Sequence, residues 1–168
     1  MSGPFYVSGA VALVSTLMVV TRANAVHALL YLIVSLLAIS IIFYTLGAPF
    51  VAALEVIIYA GAIMVVFVFV LMMLNLGVRA TAEERAWLRP GMWVGPGVLA
   101  AVLAAELIYT LVRATPVSSA TMMVAPKQMG QLLFGPYFIG VELASFLLLA
   151  GLVGALHLAR VSEPEKVA

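Results

Sequence analysis

Three glutamates, Glu55, Glu106 and Glu142, stand inside long apolar stretches of a chain that is otherwise sparsely charged. An ionisable side chain is costly in hydrocarbon, so one kept there is a functional candidate by default. A carboxyl group taken out of water can take up and release protons, or accept hydrogen bonds within a water-lined path. The alternative is a carboxyl that only ties one helix to the next. For Glu55 and Glu142 both readings stay open, whereas Glu106 can also reach the interface or bond a neighbour. Tyr59 follows Glu55 by four residues, which puts both on one helix face. A phenol beside a carboxylate can position or pass a proton, and it can equally just fill a packing slot.

Directly after Tyr59 comes Ala60-Gly61-Ala62, a small-residue run that lets another helix approach closely. Gly61 also weakens the helix locally. Ile63 to Leu74 is then unbroken bulky apolar sequence, with Phe67, Phe69 and three methionines. Such a run packs against lipid or a partner, or forms a dry plug in a proton path. Two histidines, His27 and His157, complete the candidates. A bis-histidine haem needs a pocket and matched heights that the sequence does not advertise. A histidine bonding a backbone carbonyl near a helix end is the simpler reading. Ser35, Ser40 and Ser145 are expected to bond helix carbonyls.

The chain has no cysteine and no aspartate. Disulfides, thiolate-ligated iron–sulfur clusters, zinc ribbons and thiol redox chemistry are therefore excluded within it. No Gly-rich phosphate loop, Ser-His-Asp set or HExxH motif appears, so the isolated chain is poorly equipped to catalyse a reaction. A net charge of +1 gives no field for nucleic acid.

These residues sit in elements built for a bilayer. Of 168 residues, 65% are hydrophobic and only 9% charged, and mean hydropathy is +1.23. A soluble domain carries about 25% charged residues. An integral membrane protein follows. Five stretches are long enough to span: 4–20, 28–46, 54–76, 92–112 and 134–158. They are too long, and alternate too little, for barrel strands. The expected fold is all-α, a single membrane domain over residues 1–168 with no internal repeat.

The first basic residue, Arg22, comes after the first apolar run, so that run reads as a retained span and not a signal peptide. With the amino end outside, the inner segments hold Arg22, Arg79, Arg85, Arg89, Arg160 and Lys166, and the outer loops hold only Arg113 and Lys127. That asymmetry favours the amino end outside and the carboxyl end in the cytoplasm. Glu55 then lies at the outer start of helix three, with Glu106 about 9 Å and Glu142 about 12 Å from the outer ends of their helices. In the inner loop, Thr81 and Glu84 match a capping box, Arg85 and Arg89 share a face, and Trp87 and Trp93 read as interfacial anchors. The outer segment 113–131 is expected to be extended at the surface.

The run Leu54-Glu55-Val56-Ile57-Ile58-Tyr59-Ala60-Gly61-Ala62-Ile63-Met64-Val65-Val66-Phe67-Val68-Phe69-Val70 closely resembles subunit J of bacterial NADH:quinone oxidoreductase, respiratory complex I, whose mitochondrial counterpart is NADH dehydrogenase subunit 6. Asn24-Ala25-Val26-His27-Ala28-Leu29-Leu30-Tyr31, Phe134-Gly135-Pro136-Tyr137 and Val141-Glu142-Leu143-Ala144-Ser145 agree with the same family. Ala25 departs from it, standing where many relatives have proline.

The resemblance implies five transmembrane helices beside subunits A, K and H, connected functionally to the antiporter-like subunits. It implies a multi-pass protein of the bacterial inner membrane that takes part in coupling quinone reduction to proton translocation. FMN, iron–sulfur clusters, NADH and quinone would sit on partner chains, with none held here. Helix three can carry a π-bulge around Tyr59 to Val65. The implied proton relay is Glu55, Tyr59 and Glu142, and the implied helix-three gate is Gly61, Met64, Val65 and Phe67. Two other readings are a structural spacer with no proton role and a subunit of a cation/proton antiporter. The absence of a repeat and of aspartate argues against the latter.

Overall fold

The computed structural model describes residues 3–74, 91–112 and 124–161, and every regular element among them is helical. Five helices are long and apolar enough to cross a membrane: Gly3–Thr21, Ala25–Thr45, Pro49–Met73, Trp93–Val112 and Phe138–Leu158. By its internal contacts the chain divides into two units, Met1–Val124 and Ala125–Ala168. The Thr81–Glu84 capping box, Arg85, Trp87 and Arg89 lie outside the described residues.

In the first unit, α1 is Gly3–Thr21 and α2 is Ala25–Thr45. Asn24 caps α2, its side-chain oxygen accepting from the His27 N–H at 3.1 Å. The cap satisfies one of the unpaired amides of the first turn and moves the start to Ala25, earlier than the apolar run suggested. At the other end Gly47 takes φ 84°, a left-handed conformation that favours glycine. Its N–H donates to the Tyr44 carbonyl at 3.1 Å, and the Ala48 N–H to the Phe43 carbonyl at 3.0 Å. This pair of bonds closes the last turn as a Schellman motif. The Gly47 carbonyl in turn accepts from the Val124 N–H at 3.0 Å.

Pro49 then opens the third span and does not merely end the second. It lies at the first helical position, where its missing N–H costs nothing. The span therefore begins five residues before the expected Leu54. It runs through α3 (Pro49–Leu54), a π-helix (Glu55–Ile63) and α4 (Met64–Leu74). The fourth span, α5, is Gly91–Val112, with Pro96 inside it.

α1, α2 and α5 make the interior of this unit. Val11, Val34, Ala38, Ile41 and Leu103 are buried together, with Ala12, Leu37 and Leu99 packed around them. Small side chains set the spacing, and Ser8, Ser15 and Ala38 are wholly buried. Tyr31, on α2, is 4% exposed, and its hydroxyl occupies the space that a side chain at Gly95 on α5 would take. Polar ties reinforce the packing. The Thr16 hydroxyl donates to the Ala12 carbonyl at 2.8 Å and lies 2.9 Å from the Ser35 hydroxyl. The Ser40 hydroxyl donates to the Ala52 carbonyl at 2.8 Å, fastening α2 to α3.

In the second unit, α6 (Pro126–Leu133) precedes α7 (Phe138–Val161). The end of the segment expected to be extended is thus helical. Pro126 stands at the first helical position, and the Gln128 side chain accepts from the Ala125 N–H at 3.1 Å. These two features start a helix within polar sequence. Residues 113–123 of that segment lie outside the described residues. Phe134 to Tyr137 form a tight turn, and α7 starts at Phe138 instead of Phe134. A side chain at Gly135 would stand 2.6 Å from the Gln131 carbonyl, so the turn accepts only glycine without shifting.

Candidate functional site

The third span is where regular geometry stops. Over Glu55–Ile63 the backbone follows π-helical bonding, one residue longer per hydrogen-bonded turn than an α-helix. The implied bulge lay around Tyr59 to Val65, so the observed distortion begins four residues earlier. At its start the Glu55 N–H is shared between the Ala52 and Val51 carbonyls. At its end the Met64 N–H is shared between the Gly61 and Tyr59 carbonyls. One amide thus serves an acceptor three residues back and another five residues back.

Gly61 sits inside this wound segment. A side chain there would place its β-carbon 3.1 Å from the Val56 carbonyl oxygen, five residues back. That contact is tight, so glycine suits the π turn and a larger residue works against it. The local sequence gives the distortion its tolerance through the missing side chain at this position.

The other residues of the implied gate divide. Met64 is 2% exposed, and it anchors the junction of the π-helix and α4. Val65 and Phe67 are exposed on the span. Glu55 is half-buried, and Tyr59 is 50% exposed. No hydrogen bond joins the Glu55 carboxylate to the Tyr59 hydroxyl. An apolar cleft of about 420 Å³ opens beside the first π turn, lined by Ser40, Ala52, Val56, Leu103 and Leu107 among others.

Glu142 lies in the first turns of α7, in the second unit. Its carbonyl accepts from the Ser145 hydroxyl at 2.7 Å. Glu106, the weakest of the three candidates by sequence, is the most buried. It is 9% exposed, and its Oε2 accepts from the Ser8 hydroxyl at 2.8 Å, linking α5 to the first turns of α1. The two residues are 98 positions apart, and no local pattern pairs them.

His27 is buried, its ring 5.0 Å from the Tyr31 ring, and the Arg22 guanidinium lies 5.7 Å from the centre of the same tyrosine. His157 belongs to α7 in the other unit. Among the described residues no group of three His, Cys, Asp or Glu side chains is placed to hold a metal ion. Tyr31, Gly95 and Ser8 were not singled out by sequence.

Comparison with known proteins adds relatives to this geometry. Residues 15–158 match the family described as NADH-ubiquinone/plastoquinone oxidoreductase chain 6. The chain is 58% identical to NADH-quinone oxidoreductase subunit J of Pseudomonas aeruginosa over 158 residues, covering 93% of this chain and 95% of that protein. It is 52% identical to the protein of the same name from Escherichia coli strain K12 over 163 residues, covering 97% and 89%. The corresponding protein of Buchnera aphidicola subsp. Schizaphis graminum is 46% identical over 156 residues, covering 93% and 96%.

Proposed function

Because the chain belongs to the NADH-ubiquinone/plastoquinone oxidoreductase chain 6 family, we propose that its third span couples quinone reduction to proton translocation. The chain is a membrane-arm subunit of NADH:quinone oxidoreductase, and it is enzymatic only as part of that complex. Its residues do not fit an iron–sulfur cluster. There is no thiolate to ligate an iron–sulfur cluster, and FMN, NADH and quinone are assigned to partner subunits.

The observation that carries the proposal is the π-helix at Glu55–Ile63, closed by an amide with two acceptors at Met64. A π turn holds one residue more than an α turn, so its relaxation rotates everything beyond it. At 3.6 residues per turn, one residue corresponds to about 100°. That rotation would carry Val65 and Phe67 around the axis, pivoting at Met64, and so open or close a water path beside the span. An element with two discrete arrangements is what long-range coupling needs. Glu55 and Tyr59 serve as the proton relay at its outer end, with Glu142 as a further relay carboxyl.

The proposed setting is one membrane domain in the bacterial inner membrane, with the amino end outside and the carboxyl end in the cytoplasm. Subunits A, K and H are the proposed neighbours, and the antiporter-like subunits receive the coupling. Gly61→Val in the assembled complex is the test. Its β-carbon would press on the Val56 carbonyl, and overpacking of this kind costs about 1–3 kcal/mol. That would shift the balance away from the π form by roughly five-fold to about 150-fold. The expected result is an assembled complex with impaired proton pumping and quinone reduction. Normal pumping and normal turnover in an assembled Gly61→Val complex would refute the gate.

A further inference from the structure

The carboxyl group of Glu106 uses only half of its hydrogen-bonding capacity. Oε2 accepts from the Ser8 hydroxyl at 2.8 Å. Oε1 is buried and has no hydrogen-bond partner among the described residues. On one side the next layer is apolar, filled by Val11 on α1 and Leu103 on α5. On the other, the Thr110 hydroxyl donates to the Glu106 carbonyl at 2.7 Å and not to its carboxyl. Ser8 itself is wholly buried. A polar oxygen left unsatisfied in such surroundings costs about 1–3 kcal/mol. Buried polar atoms in native proteins therefore nearly always find a partner.

Two classes of partner are excluded by position. Oε1 is covered by this chain's own atoms, so neither lipid nor a neighbouring subunit reaches it. A metal ion needs further ligands, and none of the described His, Cys, Asp or Glu side chains groups there. What remains is a small neutral ligand that fits between packed helices and can both donate and accept. An ionised carboxyl needs a donor at Oε1, and a protonated one can present a donor there. Water satisfies either state, and internal waters of this kind are integral parts of protein interiors.

We propose that Glu106 Oε1 binds an internal water molecule between α1 and α5. The Ser8–Glu106 pair is then a built hydration site between the first and fourth spans. It gives the first and fourth spans a polar, exchangeable contact.

The experiment is a cryo-electron microscopy map of the assembled complex at a resolution that shows ordered water, for the unaltered protein and for Glu106→Gln and Glu106→Leu. Water density within hydrogen-bond distance of Oε1 is expected in the unaltered protein. It should persist with Gln, which keeps a polar atom at each position, and vanish with Leu. If Glu106→Leu fails to assemble, the unaltered protein and Glu106→Gln still decide the question. A dry Oε1 packed against carbon, or one bonded to another protein group, in the unaltered complex overturns the proposal.

Discussion

The interior formed by α1, α2 and α5 and the third span differ in how they are held. In the interior, side chains fix the helices. Tyr31 fills the side-chain space at Gly95, Ser8 binds Glu106, and Thr16 meets Ser35. In the third span, Met64 and Ala52 alone are buried between Pro49 and Met73. Shape there is decided by which carbonyl each backbone amide chooses. A side-chain lock resists sliding and rotation together. The proposed gate rests on the other kind of hold, in which the Met64 amide has acceptors three and five residues back. The protein thus pairs a frame held by side chains with a span shaped by its backbone, and Ser40 fastens one to the other through the Ala52 carbonyl.

Gly95→Val attacks the frame and should have the largest effect. Its β-carbon would occupy the space of the Tyr31 hydroxyl, so the buried Tyr31 ring must move or α2 and α5 must separate. Overpacking of a buried aromatic contact costs about 1–3 kcal/mol or more. Blue-native gels should show a marked loss of assembled complex, and undiminished assembly would mean that the frame is softer than its contacts imply.

Glu55→Gln with Tyr59→Phe addresses the third span. Neither residue takes part in the buried frame, so assembly should stay intact while proton pumping falls substantially. Unchanged pumping in the intact complex would favour the structural-spacer reading over a relay.

Ser40→Ala cuts the tie between the two regions. One buried hydrogen bond is lost, worth about 0.5–1.5 kcal/mol. Assembly should be normal, with a slightly lower thermal midpoint. A large loss of pumping from this change alone would mean that the tie transmits movement and does not merely hold α3 in place.

Hydropathy alone made the five spans legible, because runs as apolar as Ile63 to Leu74 have no place in a small soluble fold. Helix ends were less so. Asn24 and Pro49 both carried start signals, but each was overshadowed by the apolar run that followed it or ended before it. The helix at Pro126–Leu133 was missed because it is polar and short, and its signal is a proline start and a glutamine reaching back to the first amide. Gly61 was visible as a weak point, and the resemblance pointed to a bulge. The Val56 contact that makes glycine fit could come only from the winding itself. Ser8–Glu106 and Tyr31–Gly95 were not legible at all. Both depend on the register between helices far apart in sequence, which no local spacing encodes.

The segment beyond the junction, Met64-Val65-Val66-Phe67-Val68-Phe69-Val70-Leu71-Met72-Met73-Leu74, holds no polar side chain. A helix that is apolar all round has no preferred side to show to hydrocarbon. Turning it about its axis leaves its solvation in a bilayer nearly unchanged, whichever face comes to the front. The bilayer then acts as a bearing: it supports the shaft without choosing its angle. What chooses the angle is shape alone, in the ridges of phenylalanine and methionine meeting whatever protein surface lies alongside. A change in that surface can therefore set the angle with little opposition from the lipid.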